Sequence, residues 1–491
     1  MLSILVCHSY FLRLDQKQIA RSKPYPPLAT LQVVSLLRDA GHRVSFFDSM
    51  LADGIEEYNR SLKANAPQLV VFYEDNFNFL SKMCLATMRR AACDMIGSAC
   101  RSGARVIAAG PDVSDAPAPY LRAGADLALV GEGLSALLEV LPRIDSHPSI
   151  SVEELVRGLP GIASLHRGRV VAAQGVSAPG GKGTALDPGV GLAAWDVVDM
   201  ERYRAVWMKA HGYFSLNMAA SRGCSFRCTW CSKPIWGNQY LQRNPLEVAA
   251  EMAHLKRTFN PDHIWFADDI FGFRVDWVTE FAVATAAADA QIPFSIQTRA
   301  DLIGERMALA LRNAGCTEAW IGAESGSQKV LDAMNKGTTV SEILTARERL
   351  RAVGIRVGFF IQLGYIDEQL EDIFATRDLL TLAQPDEIGV SVSYPLPGTK
   401  FYDLVKAQLR AKTHWQESND LDMMFHGTYT SDFYRAVRDL LHDQISLQAI
   451  SYEAQPREFA VGSHQLEQRW QKLVAAELQY RSSNQRSAAS A

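Results

Sequence analysis

Twice along this chain, short apolar runs alternate with longer helical stretches. The first series reads "LSILVCHS", the helix candidate "LATLQVVSLLRDAGH", then "RVSFFDS", "QLVVFYED", a helical stretch from about Leu80 to Ser102, "ARVIAAGPD" and "ADLALVGEG". The second runs from Phe214 to about Tyr402. Its strand candidates are "FSLNMAAS", "HIWFADD", "FSIQTRA", "EAWIGAE", "RVGFFIQLG" and "EIGVSVSYPLPG", with helical stretches such as "NPLEVAAEMAHLKRTF" between them. A strand–helix–strand alternation forces parallel strands with helices on the faces. The fold class expected is therefore α/β: an N-terminal doubly wound, Rossmann-like parallel sheet, a partial (βα)6 barrel, and a helical C-terminal region. Both sheet types place ligands beyond the carboxyl ends of their strands.

The expected division is residues 1–145 for the first domain, 146–205 as linker, 206–410 for the barrel, and 411–491 for a helical region with a disordered tail. "APGGKGTALDPGVG", residues 178–191, is rich in Gly and Pro and reads as linker. The tail "RSSNQRSAASA", residues 481–491, is low in complexity.

Composition narrows the functional classes. Of 491 residues, 48% are hydrophobic and 21% charged, with a formal net charge of -4, the profile of a globular protein with large cores. Without a long basic run, a dedicated nucleic-acid partner is not expected. "MLSILVCHSYF" lacks a basic leader and reads as a first strand rather than a signal peptide. No apolar run reaches about 18 residues, so no membrane span is expected. Eight cysteines in such a chain suggest free thiols in a reducing compartment, the cytoplasm. Oligomeric state is not legible.

Three of those cysteines fall within eight positions of "SRGCSFRCTWCSKP": Cys224, Cys228 and Cys231. A disulfide uses two thiols, and a closed zinc site wants four ligands. C-x3-C-x2-C leaves one position of a metal or cluster open, and thiolates suit iron–sulfur clusters. The loop follows the first barrel strand directly, where barrel chemistry is expected.

This spacing, opening a βα barrel, resembles the radical S-adenosylmethionine (SAM) superfamily. The resemblance implies that Cys224, Cys228 and Cys231 bind a 4Fe–4S cluster whose fourth iron takes the amino and carboxylate groups of SAM. It implies cofactor roles for further positions: Trp230 shielding the cluster or flanking adenine, Asp268 and Asp269 in place of a glycine-glycine-glutamate motif, Arg299 with Thr298 pairing the methionine carboxylate, Glu324 with Ser325 and Ser327 on the ribose, and the backbone near Gln362 and Gly364 against adenine. Tyr394 could face substrate.

The first domain resembles the cobalamin-binding domain fused to such enzymes, through "KPYPPLATLQVVSLLRDAGHRVSFFD", "AAGPDVSDAP" and "GADLALVGEG". The strand-end residues expected near cobalamin are His8, Ser9, Tyr10, Tyr73, Glu74, Gly110, Pro111, Gly131, Glu132 and Gly133. Methyltransferases and mutases with a histidine on cobalt carry Asp-x-His-x-x-Gly; this chain has none. The resemblance thus implies cobalamin without a protein histidine on cobalt. It further implies a 5′-deoxyadenosyl radical that abstracts hydrogen from an unactivated carbon, then methyl transfer from methylcobalamin. A flavodoxin- or ferredoxin-type donor would supply electrons. The substrate could be a small molecule, lipid, tetrapyrrole or peptide side chain; "PIWGNQYL" permits an apolar one.

The alternative within the class is the anaerobic cyclase of magnesium-protoporphyrin monomethyl ester. Other classes are a tRNA methylthiotransferase, which would need a second three-cysteine cluster among Cys7, Cys84, Cys93 and Cys100, and a non-catalytic cobalamin sensor.

Overall fold

The computed structural model describes residues 1–172, 191–233, 235–450 and 456–482. The expected linker core, 178–190, and the end of the tail, 483–491, lie outside the described residues.

The first sheet has seven strands: β1 (Ser3–Cys7), β2 (Arg43–Phe47), β3 (Leu69–Tyr73), β4 (Arg105–Ala109), β5 (Leu127–Leu129), β6 (Ile162–His166) and β7 (Arg169–Ala172), in the order β2-β1-β3-β4-β5-β6-β7. The first five pair in parallel, the doubly wound order of flavodoxin-like sheets. The last two run antiparallel. Residues 146–205 are therefore not all linker, because β6 and β7 extend this sheet. Their signal, "IASLH" and "RVVA" around an Arg167–Gly168 turn, is a short hairpin without helical crossovers.

Side chains alternate across the pleat. Ile4 and Val6 of β1 join an apolar cluster that continues through the barrel to Trp470. Leu5 and Cys7 belong to a separate cluster on the opposite face. Both faces of β1, β3 and β5 are buried, which is why these strands read as apolar runs, while the edge strand β2 stays partly exposed.

A short hairpin, β8 (Ser215–Met218) leading into β9 (Ser221–Gly223) paired with β10 (Tyr240–Gln242), opens the second unit. It continues with β11 (His263–Phe266), β12 (Phe294–Thr298), β13 (Cys316–Glu324), β14 (Arg356–Leu363) and β15 (Glu387–Val392). Six parallel strands, β8 and β11 to β15, form a half-barrel in the order β15-β14-β13-β12-β11-β8. Its helices carry strong end signals. Pro-Leu-Glu opens the Pro245–Phe259 helix behind the Asn244 cap, and Thr339 and Glu342 form a capping box on Val340–Ala352.

The edge strand β8 would present unpaired backbone and side chains to water. The first domain covers it. Asn217 Nδ2 donates to Pro26 O at 3.0 Å, and Tyr25 Oη lies 3.0 Å from Ser215 Oγ. Buried Trp207, in the Met200–His211 helix, donates to Pro24 O at 2.7 Å. After the barrel, the segment around Trp415 returns to the first domain, where its carbonyl accepts from Ala86 N at 2.7 Å. Helices Ser431–Gln448 and Pro456–Ala475 then pack together. Among the described residues, no helix is long and apolar enough to cross a membrane.

Candidate cluster and cofactor site

The cysteine loop is framed by β9 and β10, whose pairing sets Gly223 opposite Tyr240. Gly223 has φ +79° and a Cβ there would overlap Gln239 O, so only glycine lets the chain turn into Cys224. From inside the loop, Lys233 Nζ donates to Cys224 O at 2.7 Å, to Phe226 O, and to Asn238 Oδ1 at 3.1 Å. The far side is fastened to the turn after the Gln328–Ala333 helix: Thr229 N donates to Met334 O at 2.9 Å and Asn335 Nδ2 to Arg227 O at 2.8 Å. None of these fasteners is visible in the spacing of the cysteines.

All three thiols are half-buried and free. Burial raises Cys224 and pushes Cys231 up to about 12, while the Lys233 ammonium pulls both down and neighbouring sulfurs push them up. Cys224 and Cys231 are therefore held protonated until a metal draws the protons off. Among the described residues, the His, Cys, Asp and Glu ligand atoms lying within 4.8 Å of one another belong to Cys84, Asp112 and His414. Cys224, Cys228 and Cys231 offer three thiolate donors from one loop, one short of a closed tetrahedral zinc site.

The barrel strands deliver the other predicted positions to the rim. Buried Asp268 accepts from Ala220 N at 3.0 Å and from Ser221 Oγ, and burial pushes it up to about 7. It braces the corner between β8 and β9. Asp269 instead accepts from Lys82 Nζ of the first domain at 2.6 Å. Thr298 is buried at the end of β12. Arg299 was expected to offer a free fork. Its Nε and Nη2 are occupied by Asp301, at 2.9 and 3.1 Å. Glu324, at φ +60°, pairs with Lys336 Nζ at 2.8 Å, both buried. Ser325 Oγ lies 3.1 Å from Thr376 Oγ1, and Ser327 Oγ donates to Asp372 at 2.7 Å. Tyr394 donates to Thr413 O at 2.9 Å, so its hydroxyl is spent inside the fold.

Among the described residues, Trp230 Nε1 and Gln362 Oε1 are buried here without a protein partner. Gln362 is on β14, next to Ile361, which pairs with Glu324 of β13. A buried donor or acceptor left unsatisfied costs about 1–3 kcal/mol, so the Trp230 N–H donor and the Gln362 carbonyl acceptor suit a polar ligand at the rim.

At the strand ends of the first sheet, most predicted residues satisfy one another. His8 Nε2 accepts from Ser49 N at 3.1 Å and lies 3.1 Å from Asp48 Oδ1. That nitrogen is already engaged. Ser9 N donates to the Glu74 carboxylate at 3.0 Å, and Tyr10 contacts Asp15. Burial raises Glu74. Gly110, at φ +145°, makes room for Glu74: a Cβ would stand 2.6 Å from Glu74 Cβ. Pro111 begins the next helix. Gly131 N donates to Ser114 Oγ at 3.0 Å, and Gly133 turns with φ +72°. Tyr73 and Glu132 are also joined, Tyr73 Oη donating to Glu132 O at 2.7 Å. Together with Asn76, Phe77, Leu134 and Trp236, they line a small cavity between this sheet and the cysteine loop. Asn76 Oδ1 is buried there without a protein partner. Glu132 also accepts from Arg222 of β9 and from Trp236 Nε1 at 3.3 Å. Ile235 and Trp236 of "PIWGNQYL" are themselves buried, so that stretch packs the interface between the domains.

Residues 218–380, from the end of β8 past β14, match the family model described as the radical SAM superfamily. The chain carries a radical SAM domain. Such a domain implies a 4Fe–4S cluster and SAM, and the three-thiol donor set fits the cluster. An uncharacterized methyltransferase of Pyrococcus horikoshii is 25% identical over 47% of this chain and 50% of its own. The anaerobic magnesium-protoporphyrin IX monomethyl ester cyclase of Rubrivivax gelatinosus is 25% identical over 55% of this chain and 47% of its own. The chain thus spans about half the length of these curated relatives. Among solved structures, the radical SAM methyltransferase TsrM of Kitasatospora setae, with cobalamin and a [4Fe-4S] cluster bound, superposes with a TM-score of 0.66 at 18% identity, covering 83% of this chain and 78% of that one. OxsB, a cobalamin-dependent radical SAM enzyme, gives 0.64 at 16% identity, covering 96% and 71%. At these identities the likeness is one of fold. It extends across both sheets, beyond the radical SAM domain.

Proposed function

We propose that this protein is a cobalamin-dependent radical SAM enzyme that transfers a methyl group to an unactivated carbon. The observation that carries the reading is the three-thiol loop between β9 and β10, facing the strand ends of the first, flavodoxin-ordered sheet. Bound together, cluster, SAM and cobalamin would supply one-electron cleavage of a sulfonium and delivery of a methyl group. Cys224, Cys228 and Cys231 would hold the cluster, with Lys233 fixing their loop. Gln362 Oε1 and Trp230 Nε1 would satisfy polar groups of SAM, near Glu324. Tyr73, Asn76 and Glu132 would meet cobalamin between the sheet and the loop. His8 would not be among the groups that hold it, since its Nε2 already accepts from Ser49 N. The buried interface between the two sheets excludes water from the reacting centre.

A second reading, radical ring closure, is favoured by the alignment with the Rubrivivax cyclase, which reaches 55% of this chain. Anaerobic reconstitution separates the two. About four irons and one cobalt per chain, with 5′-deoxyadenosine and S-adenosylhomocysteine both formed in the presence of substrate, support methylation. Four irons with 5′-deoxyadenosine alone would leave ring closure standing and sink methyl transfer. A chain that takes up no iron would end both readings.

A further inference from the structure

Arg299 leaves β12 and is 4% exposed. Its guanidinium is held on nearly every side. Nε donates to Asp301 Oδ1 at 2.9 Å, and Nη2 to Asp301 Oδ2 at 3.1 Å, Lys336 O at 2.7 Å and Thr338 Oγ1 at 3.0 Å. Its carbon centre lies 3.7 Å from the centroid of Phe226, a residue of the cysteine loop. The remaining nitrogen, Nη1, points at Cys228 Sγ, 3.8 Å away. A side chain placed to grip a free carboxylate would keep an edge open. This one spends its fork on Asp301 and aims what is left at a cluster cysteine.

We infer that Arg299 is a positioning residue that raises the reduction potential of the cluster through an N–H···S bond to Cys228. The inference rests on the reading that the three cysteines hold a cluster. Hydrogen bonds to cluster sulfurs are one of the levers that set the potential. The donor withdraws electron density from sulfur, so it favours the reduced, more negative state. Low local polarity strengthens the effect. Asp301 cancels most of the formal charge, so the contribution is that of a directed donor, fixed in place by Lys336 O, Thr338 and the Phe226 ring.

The couple is one electron, [4Fe–4S]2+ to [4Fe–4S]+, supplied by dithionite through mediators, with no proton taken up. The test titrates wild type, Arg299→Gln and Asp301→Asn by electron paramagnetic resonance after anaerobic reconstitution, and measures SAM binding alongside. At the wild-type midpoint, Arg299→Gln should show a reduced-to-oxidised ratio about tenfold lower, equivalent to 59 mV for one electron. Asp301→Asn, which leaves the guanidinium uncompensated, should move the ratio the other way. An unchanged potential in Arg299→Gln with SAM binding weakened tenfold would overturn the inference and return Arg299 to the methionine carboxylate. If Arg299→Gln takes up no iron, the sign of the Asp301→Asn shift decides. If neither variant takes up iron though circular dichroism shows both folded, Arg299 shapes the loop and the inference fails. Wild type without iron would remove the cluster reading itself.

Discussion

Lys82 Nζ lies 2.6 Å from Asp269 Oδ1 and 5.2 Å from the centre of the Trp236 ring. One side chain thus ties the strand-end loops of the first sheet to both the second barrel strand and the end of the cysteine loop. Phe77 packs on the same ring at 5.4 Å. The candidate site is built across this seam.

The seam predicts coupling. Lys82 and Asp269 are 21% and 28% exposed, so their pairing is only partly screened. Lys82→Met should cost about 1–2 kcal/mol, because it strands a half-buried carboxylate. A double-mutant cycle with Asp269→Asn, followed by chemical denaturation, should show a coupling of about 0.5–1 kcal/mol. Additive effects would mean that the contact does not hold the domains together.

The pair Glu324–Lys336 is buried on both sides. Removing either charge alone leaves the other uncompensated, so Lys336→Met or Glu324→Gln should each cost about 3–5 kcal/mol. The double variant should recover much of that loss. Equal losses in the single and double variants would show that the charges are individually satisfied elsewhere.

Glu368 is fully buried. Its Oε2 accepts from Gly364 N at 2.6 Å, Oε1 has no protein partner, and burial pushes the carboxyl up to about 8. The folded state therefore holds its proton more tightly than the unfolded chain. Stability contributed at this site falls as pH rises from about 4.5 to about 8. Glu368→Gln should gain stability relative to wild type across that window, by a few kcal/mol on the order of 1.4 per pH unit. Parallel pH profiles for the two proteins would refute the assignment.

Gly223→Ala should spoil the entry to the cysteine loop, since its Cβ would meet Gln239 O at a left-handed φ. The rest of the fold should persist. Iron per chain after reconstitution should fall well below wild type, with circular dichroism little changed. Normal iron uptake would show that the turn can relax.

Much of this architecture is legible in the chain. The six barrel strands and the five parallel strands of the first sheet coincide with apolar runs; β1, β3 and β5 are buried along their whole length, so no polar alternation obscures them. The cysteines declare themselves by spacing along one loop. The hairpin β6–β7 does not, because two short antiparallel strands carry no crossover pattern. What the sequence could not reveal is which side chain meets which. Lys82 and Asp269 are 187 positions apart, and Arg222 and Glu132 are 90 apart. Arg299 was legible as a cation at a strand end. Only the folded chain places Asp301 on one edge of it and Cys228 beyond the other. Periodicity and spacing act within a few residues and therefore survive in the sequence. Pairing across a seam depends on how two independently formed sheets dock, and that exists only in three dimensions.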